Sequence, residues 1–122
     1  MQDQLVSFET AKLAKEKKFR EECFSFYNGF NELVLMEEDA TIGDYNSTKI
    51  YISAPSQSFI QKWLRETHKI HLIVDPAEDN SYGIIVGTIQ DMEWIYENNE
   101  PKYFKTYEEA IESGLQKALK LI

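Results

Sequence analysis

The spacing of apolar residues predicts three helices. Apolar positions recur every three or four residues in 7–17, in 55–68 and in 106–122, which is the period of an amphipathic helix. Ser7 is predicted to cap the first helix, and Thr106 the third, because their hydroxyls can accept a hydrogen bond from a free amide of the first turn. The second pattern is the strongest of the three, and Ser56 could cap that helix.

Alternating apolar and polar residues predict strands between these helices. Segments 23–27 and 30–36 flank Asn28-Gly29, a pair typical of a type I′ hairpin turn. Further strands are predicted at 49–52, 70–74, 82–89 and 92–96, with a brief edge pairing at 103–104. The predicted order is α-β-β-(β)-α-β-β-β-α. It indicates one α+β domain over 1–122, with antiparallel sheets and helices packed on one face.

The charge of the chain is concentrated in one segment. The 122 residues contain 21 Asp and Glu against 13 Lys and Arg, a net charge of -8. Segment 70–101 contains no Lys or Arg and seven acidic residues, which are Asp75, Glu78, Asp79, Asp91, Glu93, Glu97 and Glu100. Nucleic acid is therefore not expected as a partner, because most nucleic-acid binders neutralise phosphates with Lys and Arg.

The second half has the element order of a double-stranded RNA-binding domain, a helix, three strands and a helix. In such domains the start of the last helix faces phosphates and needs positive charge. Here that helix begins with Glu108 and Glu109, so the likeness is one of topology alone.

The sequence also favours a cytoplasmic protein. It has no run of about 18 apolar residues that could cross a membrane, and 1–8 lack the pattern of a secretory signal. The single cysteine, Cys23, cannot form an internal disulfide, which fits a reducing compartment. We therefore expect no association with membranes.

Residues that could support catalysis are few. His68 and His71 lie three apart near several acids, so a metal site is conceivable, but metal sites usually repeat such spacings. Cys23 lies in an aromatic strand, where a buried thiol is more common than a nucleophile. Gly83 and Gly87 lie inside a strand and form no phosphate loop; they indicate a bulge or close packing on an aromatic ring. No cofactor, metal ligand or catalytic residue is assigned.

The predicted late sheet offers a candidate partner-binding surface. Alternation along its strands predicts that Met92 and Trp94 pack against the helices. The other side would then carry an apolar strip of Ile73, Ile85 and Ile95, surrounded by His71, Glu93 and Glu97. Such a strip is either covered by Phe24 and Phe26 of the first hairpin or exposed as an interaction surface.

Three stretches together resemble a known group of proteins. They are 7–17 (SFETAKLAKEK), 54–66 (APSQSFIQKWLRE) and 106–120, with TYEEA at its start and GLQKALK at its end. They are similar to a family of small uncharacterised proteins of phage and prophage regions in gut Bacteroides-type bacteria. This resemblance implies a phage-associated, intracellular setting and no known activity. Lys18 departs from it, because a glycine is expected where the first helix ends.

Three functional hypotheses follow, and no enzymatic activity is expected under the first two. The first is a non-enzymatic module that binds another protein or forms a homodimer. The alternative is an acidic nucleic-acid mimic that inhibits a host nucleic-acid enzyme, with the carboxylates of 70–101 in place of phosphates. The third is a small metal-dependent hydrolase around His68 and His71.

Overall fold

The computed structural model describes residues 4–35 and 42–122. Their contacts divide the chain into two compact units, 1–56 and 57–122. Three helices and several short antiparallel sheets confirm the α+β class and the predicted order of elements. The single domain over 1–122 stays a prediction. No helix in the described ranges is long and apolar enough to cross a membrane.

The first unit combines one helix with a small sheet. Helix α1 (Phe8–Glu16) is followed by β1 (Phe26–Tyr27), β2 (Leu33–Val34), a 3-10 turn (Tyr45–Ser47) and β3 (Ile52–Ser53). The sheet is antiparallel, in the order β2-β1-β3. As predicted, Ser7 caps α1, because its hydroxyl accepts a hydrogen bond from the Thr10 amide at 3.3 Å.

Aromatic side chains from β1 hold this unit together on both faces of its sheet. The Tyr27 hydroxyl donates a 2.8 Å hydrogen bond to the Val6 carbonyl, and its ring meets Phe8 edge to face at 5.4 Å. Phe26, on the other face, stacks on Tyr45 with ring centroids 4.4 Å apart. The antiparallel pairing of β1 with β2 confirms the predicted hairpin, but both strands are shorter than the predicted segments 23–27 and 30–36. The predicted end at residue 36 lies outside the described residues.

The turn of this hairpin differs from the predicted type I′ turn. Residues 28–32 separate the strands, since Tyr27 pairs with Leu33. The Asn28 side-chain oxygen accepts hydrogen bonds from the Phe30 and Glu32 amides at 2.9 and 3.0 Å, and the left-handed residue is Asn31. The two-residue turn was wrong because the Asn28 side chain organises a wider loop instead.

Helix α1 ends at the position where the resemblance led us to expect glycine. Lys18 adopts φ 68°, the left-handed conformation that glycine favours. The Phe19 amide donates to the Ala14 carbonyl at 3.0 Å and the Lys18 amide to Lys15 at 3.1 Å, the hydrogen bonds of a Schellman motif. The helix therefore terminates as it would with glycine, but with a strained lysine.

Replacing Lys18 with glycine should therefore stabilise the first unit. We expect a gain of roughly 0.5–1 kcal/mol, because the penalty of a β-carbon in the left-handed region is removed. Lys17→Gly is the matched control, since Lys17 has φ -93° and should lose stability. Urea unfolding followed by far-ultraviolet circular dichroism measures both; equal effects of the two substitutions would contradict this explanation.

The second unit contains two helices and a three-stranded sheet. Helix α2 (Gln57–His68) precedes the strands β4 (His71–Pro76), β5 (Tyr82–Thr88) and β6 (Asp91–Trp94), which form an antiparallel sheet in that order. A short hairpin of β7 (Tyr96–Glu97) and β8 (Glu100–Pro101) follows, and α3 (Tyr107–Lys120) ends the unit. The predicted edge pairing is confirmed, because Phe104 pairs with Tyr82.

Helix α3 covers one face of this sheet and contacts α2. It packs against β4 and β5, and Gly114 lies close to side chains of both strands. A β-carbon on Gly114 would lie 2.8 Å from Ile84 Cγ1 and 2.9 Å from Leu72 Cδ2. As predicted, Thr106 caps α3 by accepting a 3.1 Å hydrogen bond from the Glu109 amide. The core of the unit thus lies between α3 and the face that carries Leu72 and Ile84.

Candidate functional site

The pairing of the strands determines which residues share a face of the second sheet. Thr88 pairs with Asp91, so the β5–β6 loop has two residues, 89 and 90. Across a two-residue loop, each pair of facing residues consists of one odd-numbered and one even-numbered residue. An odd-numbered residue of β5 therefore shares a face with an even-numbered residue of β6.

One row of apolar residues crosses all three strands on the face opposite α3. Ile73 pairs with Ile85, and Ile85 pairs with Trp94. His71, Gly87 and Met92 form the next row. We call the residues His71, Ile73, Ile85, Met92 and Trp94 the open face. The Ile73 side chain is 52% exposed, and the other four residues are half-buried.

Glycine shapes the open face on β5. A β-carbon on Gly83 would lie 2.6 Å from Cζ3 of the Trp94 indole and 3.3 Å from Cε1 of Tyr103. The six-membered ring of Trp94 therefore packs directly against Gly83, on the open-face side. This is the close packing on an aromatic ring that the position of Gly83 predicted.

Two residues of the predicted strip lie on the other face of the sheet. Glu93 pairs with Val86, on the face that α3 covers, and its Oε2 lies 3.6 Å from the Lys117 ammonium of α3. Ile95 continues the same register, since its amide donates to the Ile84 carbonyl at 3.2 Å. The prediction that Ile95 shares a face with Ile73 and Ile85 was wrong. Across the two-residue loop an odd-numbered residue faces an even-numbered one, so Ile95 lies on the face of Ile84.

The remaining members of the strip separate from one another. Ile73 and Ile85 do lie side by side, whereas Glu97 is exposed on β7, outside the three-stranded sheet. Met92 and Trp94 belong to the open face. Their predicted position against the helices was wrong, because Met92 pairs with Gly87 and Trp94 with Ile85. The predicted strands 82–89 and 92–96 already imply a two-residue loop. A loop of this length would have placed both residues on the same face as Ile85. A partner-binding role for any of these residues stays a prediction.

Few charged groups lie on the strands of the open face. Only Asp75 at the end of β4 carries a formal charge there, and His71 lies at the opposite end of the same strand. Asp91 and Glu93 lie on the opposite side of the sheet, and Glu97 and Glu100 lie in the β7–β8 hairpin, outside the three-stranded sheet. Glu78 and Asp79 lie in the β4–β5 turn, where Ser81 donates a hydrogen bond to Asp79 and lowers the pKa of its carboxyl. The acids thus form no single row.

The residues considered for catalysis occupy unrelated places. The His68 ring meets Trp63 edge to face at 4.8 Å, whereas His71 lies on the open face. Within 4–35 and 42–122, no group of three or more His, Cys, Asp or Glu side chains could hold a metal ion. Burial is the main cause that raises the pKa of the Cys23 thiol, to about 11, so this thiol is protonated at neutral pH.

Comparisons with known proteins add no relative to this geometry. No protein-family model, curated protein or solved structure matches the chain. The open face is therefore interpreted from its own chemistry, and the resemblance to phage proteins stays a prediction.

Proposed function

We propose that this protein is a non-enzymatic protein-binding module that self-associates through the open face. The observation that carries the proposal is the apolar row of Ile73, Ile85 and Trp94, which spans all three strands. Ile73 is exposed in this row, and the other two side chains are half-buried. Exposed apolar surface of this kind is unfavourable in water, and its removal from water drives association.

A second copy of the chain fits this surface by composition and by symmetry. The cores of homodimer interfaces are apolar and poor in charge, and aromatic residues and Met are enriched there. The open face has Trp94 and Met92 beside two isoleucines. In a two-fold dimer the same patch lies on both copies, so an apolar row that crosses the sheet can pack on itself.

The net charge predicts how this association depends on salt. Each copy carries -8, so two copies repel one another at low ionic strength. Salt screens that repulsion, while the apolar contact at the centre is not weakened by it. The dimer should therefore be tighter at high salt. A complex held by ion pairs with a basic partner would show the opposite dependence.

Sedimentation equilibrium of the wild-type chain tests the proposal. We expect reversible dimers between about 10 µM and 1 mM, because a face of three short strands makes a small interface. Ile73→Glu should weaken dimerisation at least about ten-fold, because it places a charge in the centre of the contact. Ile89→Glu is the matched control, since Ile89 is 79% exposed in the β5–β6 loop.

Two results would overturn the proposal. One is a monomer at every concentration and salt level. The other is a dimer that Ile73→Glu and Ile89→Glu weaken equally, because the contact would then not use the open face. Neither result depends on unfolding, provided that both variants keep the circular dichroism spectrum of the wild type.

No observation favours the other two hypotheses over this one. A nucleic-acid mimic requires carboxylates in rows at the phosphate spacing. The acids of 70–101 are spread over the β4–β5 turn, both sides of the three-stranded sheet and the β7–β8 hairpin. Mimicry and a hydrolase around His68 and His71 both stay predictions. A cytoplasmic, phage-associated setting is part of our proposal and rests on the sequence alone.

A further inference from the structure

A cleft of about 340 Å³ lies on the side of the second sheet that α3 covers, between the β5–β6 hairpin and the last turns of α3. Ile70, Val86 and Leu121 provide the apolar part of its lining. Asp91 and Glu93 of β6 and Lys117 of α3 provide its charges. Its volume is at the small end of the range for ligand pockets.

The lysine in this cleft already has partners. The Lys117 ammonium lies 3.6 Å from Glu93 Oε2 and donates a 3.2 Å hydrogen bond to the Trp94 carbonyl. Its charge and that of Glu93 therefore compensate one another.

The carboxylate of Asp91 differs from that of Glu93, which pairs with Lys117. Among the residues that the structure describes, no basic nitrogen lies within 4.0 Å of its carboxylate. The cleft thus keeps one uncompensated negative charge beside an apolar surface. An anion would meet the uncompensated Asp91 carboxylate, so the charge of the cleft disfavours it.

We propose that this cleft binds an aliphatic cation, an ammonium or guanidinium group on an alkyl stem. The stem would lie against Ile70 and Val86, as the stems of Lys and Arg do on apolar surfaces. The cation would pair with Asp91, with the Thr88 hydroxyl as a further acceptor. The lysine and arginine side chains of a protein segment have this chemistry, and so do free alkylamines. The proposal does not depend on the open face, which is the other side of the sheet.

Titration of the full chain with n-butylguanidinium, followed by amide NMR shifts at constant ionic strength, tests this inference. We expect saturable shifts centred on Thr88, Asp91 and Lys117. Asp91→Asn should weaken binding about five-fold, the upper range for an exposed ion pair. Asp79→Asn removes an equal charge from the β4–β5 turn and should leave the affinity unchanged. n-Butanol, which keeps the stem without the cation, should bind at least about five-fold more weakly.

The outcomes decide between a site and unspecific attraction. Shifts scattered over the surface, equal affinity for n-butanol, or equal weakening by both substitutions would overturn the inference. N-acetylarginine amide distinguishes the two sources of the cation. If it binds at least as tightly as n-butylguanidinium, the site accepts a side chain carried on a peptide backbone. If only n-butylguanidinium binds, the site accepts a free small cation.

Discussion

Replacing Gly87 with alanine is expected to destabilise the second unit by about 3 kcal/mol or more. Gly87 has φ +152°, a conformation that residues with a side chain rarely adopt. A β-carbon there would also lie 2.0 Å from the Asp91 carbonyl oxygen and 3.1 Å from Met92 Cα. Both are backbone atoms of the paired strand, so relief requires the β5–β6 hairpin to move.

Tryptophan fluorescence during urea unfolding measures this effect, because Trp63 and Trp94 both belong to the second unit. Gln90→Ala is the control within the same hairpin. Gln90 is exposed in the loop, and its substitution should change stability by no more than about 0.5 kcal/mol. A loss of stability for Gly87→Ala no larger than that for Gln90→Ala would contradict the close approach of Gly87 to the Asp91 carbonyl.

The second large effect compares two neighbouring isoleucines on opposite faces of β5. Ile84 is fully buried beneath α3, whereas Ile85 is half-buried on the open face. Ile84→Ala should destabilise the unit by about 3 kcal/mol, because it leaves a cavity between the sheet and Gly114. Ile85→Ala should destabilise it by about 1 kcal/mol, because little of its surroundings is close-packed.

The same urea experiment, at low protein concentration to keep the chain monomeric, gives both values. The two substitutions remove the same atoms, so their difference reports the environment of each side chain. A larger loss for Ile85→Ala than for Ile84→Ala would mean that the open face is in fact the covered one.

Local rules in the sequence predicted the helices and their starts. Ser7 and Thr106 cap α1 and α3 as expected, because the cap depends on residues three positions apart. The end of α1 was less predictable, since Lys18 adopts a conformation that its own residue type disfavours. The buried Phe19 that follows supplies a tertiary reason for this turn.

Turns were harder to predict, because side chains and neighbouring strands compete for the same backbone groups. Asn28-Gly29 has the composition of a type I′ turn, but the Asn28 side chain binds two amides and widens the loop. The two consecutive left-handed residues of such a turn occur instead at Asn98 and Asn99, between β7 and β8. Composition alone did not distinguish these two places.

The sequence predicted one part of the candidate site correctly and placed another part on the wrong face of the sheet. Alternation correctly grouped Ile73 with Ile85, because one antiparallel pair determines that relation. It misplaced Ile95 and Glu93, since a change of one residue in register exchanges the two faces of a strand. The cleft beside α3 could not be predicted, because Lys117 is more than twenty residues away from Glu93 in sequence.

An isotope-filtered nuclear Overhauser experiment on a mixture of labelled and unlabelled chains tests the proposed self-association most directly. It detects contacts only between copies, so it locates the interface as well as revealing it. We expect intermolecular contacts from the methyl groups of Ile73 and Ile85 and from the Trp94 indole. Contacts confined to other exposed apolar residues, such as Phe30 and Leu35 of the first unit, would contradict self-association through the open face. The absence of any intermolecular contact in a concentrated sample at high salt would contradict it too.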